Sequence, residues 1–127
     1  MKYAEVNIVP FSDRLAVHFT KLNTAWVEKY FIIEPMDIKM LGDPKGFIID
    51  KGGHIFFAQI NDAVAGTFAL IKENEAVYQL SKMAVDENYQ RQKTGNHLME
   101  FCIAKAKELK ANKIVLYSNT ILEPAIH

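Results

Sequence analysis

The chain has 127 residues, enough for one domain with a single core, and half of them are hydrophobic. Fifteen Lys plus Arg balance fifteen Asp plus Glu, so the uniformly basic surface that grips nucleic-acid phosphates is not expected, and any anion site must be local. The single cysteine, Cys102, excludes an intrachain disulfide and lacks the companions of a cysteine-based metal site, so no metal is expected.

The N-terminus, Met1-Lys2-Tyr3-Ala4-Glu5, has no apolar signal core, and no run of about 18 apolar residues follows, which predicts a soluble cytoplasmic protein without a membrane partner. Residues 3–11 alternate as a strand. Ser12 and Asp13 then supply capping chemistry for a first helix, on which Leu15, Phe19, Leu22, Trp26 and Tyr30 stack along one face. Pro35 suits the first turn of a shorter second helix, which Gly42-Asp43-Pro44 ends. Three strands are predicted next, over residues 54–60, 63–72 and 76–85. The links between them, Asn61-Asp62 and Glu73-Asn74-Glu75, are too short for crossover helices, so the strands form an antiparallel meander. A polar loop leads to a third helix with Leu98, Cys102, Ala106 and Leu109 on one face, then a strand over residues 113–118 and a helix start at Leu122-Glu123-Pro124-Ala125. The order is that of an α+β chain.

The informative stretch is residues 85–98, a polar loop between an apolar strand and an amphipathic helix. Backbone N–H groups at a helix start, reinforced by the helix dipole, form an anion site, although most such junctions bind nothing. Other chemistry-bearing residues have structural readings. His54, His97 and His127 show no ligand spacing, Met83 and Met99 fit apolar packing, Trp26 belongs to the core, and Cys102 is a small hydrophobe on a buried helix face.

The loop resembles the acetyl-CoA pyrophosphate loop of the GNAT superfamily of acyl-CoA N-acyltransferases, whose pattern Q/R-x-x-G-x-G/A is met by Gln90 and Gly95. Lys93 stands where the pattern has its first glycine, which exchanges close backbone approach for a cation. The preceding segment Leu80-Ser81-Lys82-Met83-Ala84-Val85 is similar to the family's central strand, and Leu116-Tyr117-Ser118-Asn119 to the strand ending in an Asn near the cofactor.

The resemblance implies a mixed, mainly antiparallel twisted sheet flanked by helices, with parallel strands splayed apart at the cofactor site. It implies acetyl-CoA as co-substrate, with pyrophosphate at Gln90, Arg91, Gln92, Lys93, Thr94, Gly95 and Asn96 and the pantetheine arm along the backbone of Met83, Ala84 and Val85. Asn119 stands near the cofactor. An N–H of the same strand would polarise the thioester carbonyl, and a base must deprotonate the acceptor amine. Relatives often place a carboxylate where this chain has Gln79, which cannot take a proton, so Glu34 in the acceptor wall is the candidate base. The family's usual terminal helix, with its Tyr acid, and last strands would lie past His127. The expectation is therefore one GNAT domain over residues 1–127 that is a fragment, continues further, or has its edge completed by a homodimer partner or other chain. The activity implied is acetyl transfer to a primary amine; a CoA-binding or interaction module without turnover is the second reading that Lys93 and Gln79 leave open.

Overall fold

The computed structural model describes residues 6–30, 35–92 and 94–116. Five strands form one sheet in the order β1 (Val6–Pro10), β2 (His54–Ile60), β3 (Ala63–Lys72), β4 (Val77–Val85) and β5 (Lys113–Leu116). β1 to β4 pair antiparallel with one another, as the short links require for β2–β3 and β3–β4, and β5 joins β4 in parallel after the crossover through α3 (Thr94–Glu108). The tight β2–β3 link places Asn61 and Asp62 at φ 50° and 69°, the pair of left-handed residues that a two-residue hairpin turn needs.

Side-chain alternation divides the core between the two faces of the sheet. One face gathers Phe56, Phe68, Leu70, Tyr78 and Leu80 under Leu98 and Cys102 of α3. The Phe101 ring meets Phe56 edge-on at 4.8 Å and helps seat that helix. The other face sets Ile55, Phe57 and Ala69 against Leu15, Phe19, Leu41 and Ile48, which come from α1 (Ala16–Tyr30), α2 (Pro35–Gly42) and their flanking turns. Each fully buried phenylalanine here contributes about 1.5–3 kcal/mol of transfer free energy.

Three local features differ from the sequence reading. Ser12 is extended before a 3-10 turn, Asp13–Leu15, but its hydroxyl makes no cap bond; the Ser12 carbonyl accepts the Leu15 N–H instead, at 3.0 Å. The Gly42-Asp43-Pro44 cluster does end α2, yet the chain then enters a π-helical turn, Lys45–Ile49, where the Asp43 carboxylate accepts the Gly46 N–H at 3.0 Å and the Lys45 carbonyl accepts the Asp50 N–H at 2.8 Å. The buried line from the 3-10 turn into α1 runs Leu15, Phe19 and Asn23, with Asn23 only 1% exposed and its Nδ2 donating to the Phe19 carbonyl at 3.0 Å, while the side chains of Trp26 and Tyr30 lie outside the described ones. A helical apolar pattern does not register a buried polar residue whose partner is its own backbone.

At its far end α3 closes in a Schellman motif. Lys110 takes φ 61°, its N–H reaches the Lys107 carbonyl at 3.0 Å, and the Ala111 N–H reaches the Ala106 carbonyl at 3.0 Å.

Candidate functional site

The site grows from a defect in β4. From the pair Ala69↔Ser81 to the pair Thr67↔Ala84, β3 advances two residues while β4 advances three. Lys82 is in this extra span at φ 57°, a left-handed conformation that an ordinary strand residue avoids. The strand therefore bends within the segment that the sequence marks as central, and Met83, Ala84 and Val85 continue beyond the bend.

A second bulge anchors the chain as it leaves β4. Between Ala58↔Gly66 and Gln59↔Val64 the extra residue is Ala65, whose carbonyl accepts the Asp86 N–H at 2.8 Å. From there residues Glu87–Gln92 wind as a 3-10 helix rather than an open loop. The Asp86 carbonyl accepts the Tyr89 N–H at 2.8 Å, and the Asp86 carboxylate accepts the Asn88 N–H at 2.8 Å. The turn delivers the chain to the start of α3.

Glycines decide how closely that start approaches. A Cβ at Gly66 would stand 3.0 Å from Leu98 Cδ1, 3.2 Å from the Ala84 carbonyl oxygen and 3.3 Å from Thr94 Cγ2, so a glycine at 66 is what lets the first turns of α3 lie against β3. Gly95 is the opposite case. Among the described residues a Cβ there would meet only Val85 Cγ2 at 4.0 Å, so they leave the first turn of α3 open on that side. The first N–H groups of an α-helix have no partner within the helix, and the dipole adds positive potential at that end, which is the chemistry that the expected phosphate contact calls for.

Of the residues expected at the site, the described part brings Met83, Ala84, Val85, Thr94, Gly95 and Asn96 to one end of the sheet, at the junction of β4 and α3. Thr94 is fully buried, so it lies beneath the surface that a ligand would meet. Asn96 is exposed. Gln90, Arg91 and Gln92 are described through their backbone, in the 3-10 segment. Gln79 lies earlier on β4, half-buried, with Ile71 and Val115 as its cross-strand neighbours. By alternation it shares a face with Ser81, across which α1 packs. Glu34, Lys93 and Asn119 lie outside the described residues, as do the expected splay past the pair Leu80↔Leu116 and the helix start at 122–125.

Two features carried no sequence signal. A lysine gives no hint of the left-handed bulge at Lys82, and the sequence does not show that Gly66 lies against the start of α3. At the other end of the sheet, a hollow of about 360 Å³ is lined by Pro10, Phe11, Ile49, Gly53, His54 and Phe56 and includes none of the expected site residues. His54 stacks on Phe56 at 6.3 Å, and burial, with the Lys105 ammonium nearby, holds its imidazole below the ordinary value. Burial pushes the Cys102 thiol up to about 11, which leaves it protonated and unreactive at neutral pH. Among the described residues no three His, Cys, Asp or Glu side chains gather as a metal site, and no helix is long and apolar enough to cross a membrane.

The sequence matches the profile of the acetyltransferase (GNAT) family over residues 18–127. It is 32% identical over 84 residues to a Bacillus subtilis protein described as the uncharacterized N-acetyltransferase YvbK, a match covering 64% of this chain and 54% of that one. The chain thus spans about half the length of this curated relative. Among solved structures, a GNAT-family acetyltransferase from Staphylococcus aureus superposes with a TM-score of 0.83 at 22% identity, over 96% of this chain and 78% of that one. An acetyltransferase from Clostridium acetobutylicum, solved with acetyl-CoA, superposes with a TM-score of 0.75 at 12% identity, over 94% and 85%. With the profile match covering most of its length, and with the mixed sheet, the parallel β4–β5 pair and the strand–turn–helix junction in place, the chain belongs to the acetyltransferase (GNAT) family.

Proposed function

We propose that this protein transfers an acetyl group from acetyl-CoA to a primary amine. The observation that carries the reading is the first turn of α3, open at Gly95 and set beside the bent end of β4. A structural relative solved with acetyl-CoA supports the donor. Acetyl-CoA supplies the acyl group as an activated thioester. The backbone of Met83, Ala84 and Val85 bonds the pantetheine amides as an added strand would, and the N–H groups of Gly95 and Asn96 take the pyrophosphate. On the family resemblance alone, Gln90, Arg91, Gln92, Lys93 and Asn119 complete the proposed cofactor-binding set. An N–H beside the bulge polarises the carbonyl to be attacked. Glu34 accepts the proton of the amine, and Gln79, which cannot, orients the amine or an intervening water by hydrogen bonding.

The test compares wild type with Gly95→Asp. Space at position 95 means the aspartate folds without crowding, while its carboxylate occupies the phosphate position. At a hundredfold excess over Kd, CoA stabilises wild type by about 2.7 kcal/mol, raising Tm by roughly 10 °C for a chain of this size. The variant shows no such shift at the same concentration. Release of free thiol from acetyl-CoA, measured across a panel of amines, then reports the transfer itself; the buried Cys102 contributes no background. A wild type without a thermal shift or saturable heat at millimolar CoA would overturn the proposal.

A further inference from the structure

Thr94 opens α3 at the edge of the junction, yet it is fully buried. A threonine at a helix start ordinarily caps forward, its oxygen accepting an N–H from the second or third residue of the helix. Here the hydroxyl points backward and donates to the Tyr89 carbonyl at 3.1 Å. Its methyl carbon packs toward Gly66, 3.3 Å from where a Cβ at that position would stand.

The 3-10 segment before it is pinned at its beginning by the main chain, through Asp86 N–H on the Ala65 carbonyl and Tyr89 N–H on the Asp86 carbonyl. The Thr94 hydroxyl adds a fastening from the helix side. In an anion site each N–H facing the ligand attracts it and each carbonyl facing it repels it. A hydroxyl drawn from a fully buried side chain holds the Tyr89 carbonyl toward the protein interior, away from that opening.

We propose that Thr94 is a positioning residue for the pyrophosphate of CoA. Its side chain does not touch the ligand; it fixes the Tyr89 peptide and so aims the N–H groups of the turn. The inference rests on the acetyl-CoA reading above and adds to it a residue that acts from beneath the site.

Calorimetric titration of CoA into wild type, Thr94→Val and Thr94→Ser tests it. Valine keeps the shape and removes the hydroxyl that donates to the Tyr89 carbonyl. Its Kd for CoA rises about tenfold, equivalent to ~1.4 kcal/mol. Serine keeps the donor and loses only the methyl group, so its Kd stays within about twofold of wild type. Rescue by serine is the result that a packing role alone would not give. Should the valine variant fail to fold, Thr94→Ala, which relieves any crowding against Gly66, is read by the same criterion. A valine variant that binds like wild type overturns the inference and leaves the acetyl-CoA reading standing, as does a serine variant as weak as valine. A wild type that binds no CoA overturns both.

Discussion

Replacing Gly66 with alanine places a methyl group where β3 meets the first turns of α3. The added carbon would sit 3.0 Å from Leu98 Cδ1, 3.2 Å from the Ala84 carbonyl oxygen and 3.3 Å from Thr94 Cγ2, so three neighbours must each yield a few tenths of an ångström. One of them is backbone, and Leu98 and Thr94 are both fully buried, which leaves little slack. Overpacking of this kind costs about 1–3 kcal/mol. Against it stands roughly 0.4–1 kcal/mol gained because alanine narrows the unfolded ensemble. The net destabilisation lies between about 0 and 2.6 kcal/mol. A 127-residue chain has a transition entropy of about 0.27 kcal/mol/K, so Tm falls by up to about 10 °C. The displaced groups also carry the start of α3, so CoA affinity falls with stability. Differential scanning calorimetry with and without CoA reads both effects. A variant with raised Tm and unchanged affinity would refute the packing argument at this contact.

Two further outcomes are expected from the structure. His54 has a folded pKa below its ordinary 6.5, so the unfolded state takes up its proton first as pH falls; the stability contributed by the neutral ring is complete above about 6.5 and is lost as pH drops through the lower folded value. Tm measured from about pH 7 down to about pH 5 therefore declines more steeply in wild type than in His54→Gln, and equal slopes would remove His54 from the account. Lys110 holds the left-handed C′ position of the Schellman motif, where a side chain costs about 1 kcal/mol relative to glycine. Lys110→Gly raises Tm by about 3–4 °C in thermal denaturation, whereas a lowered Tm would show that the lysine side chain stabilises the helix end by other contacts.

Much of the fold is legible from residue spacing. The ranges 54–60 and 63–72 coincide with β2 and β3, and the third range, 76–85, overruns β4 by one residue, because turn clusters too short for a helix separate alternating strands. The line Leu98, Cys102, Ala106 similarly marks the buried face of α3. The π-helical turn at Lys45–Ile49 was not legible, since its bonds reach five residues along the chain and leave no periodic trace in so short a segment. At the site, Gly95 was readable from the loop pattern. The inward hydroxyl of Thr94 and the role of Gly66 were not, because each depends on which strand the helix packs against, a fact of tertiary structure.

The left-handed residue in β4 has a further implication for how this chain can be altered. Ser81 and Ala84 pair with Ala69 and Thr67, so they look the same way although three positions separate them. Removing Lys82 would leave them two positions apart, which is the spacing an uninterrupted strand uses to keep two side chains on one face. Face alternation would survive the loss, and a backbone conformation disfavoured by roughly 1–2 kcal/mol would go with it. Sheet architecture therefore supplies no reason for the extra residue. Selection acting on folding alone would tend to delete it, and an engineering campaign guided only by thermal stability would drift toward a straight β4, a well-folded protein whose central strand no longer bends beside the entrance to α3.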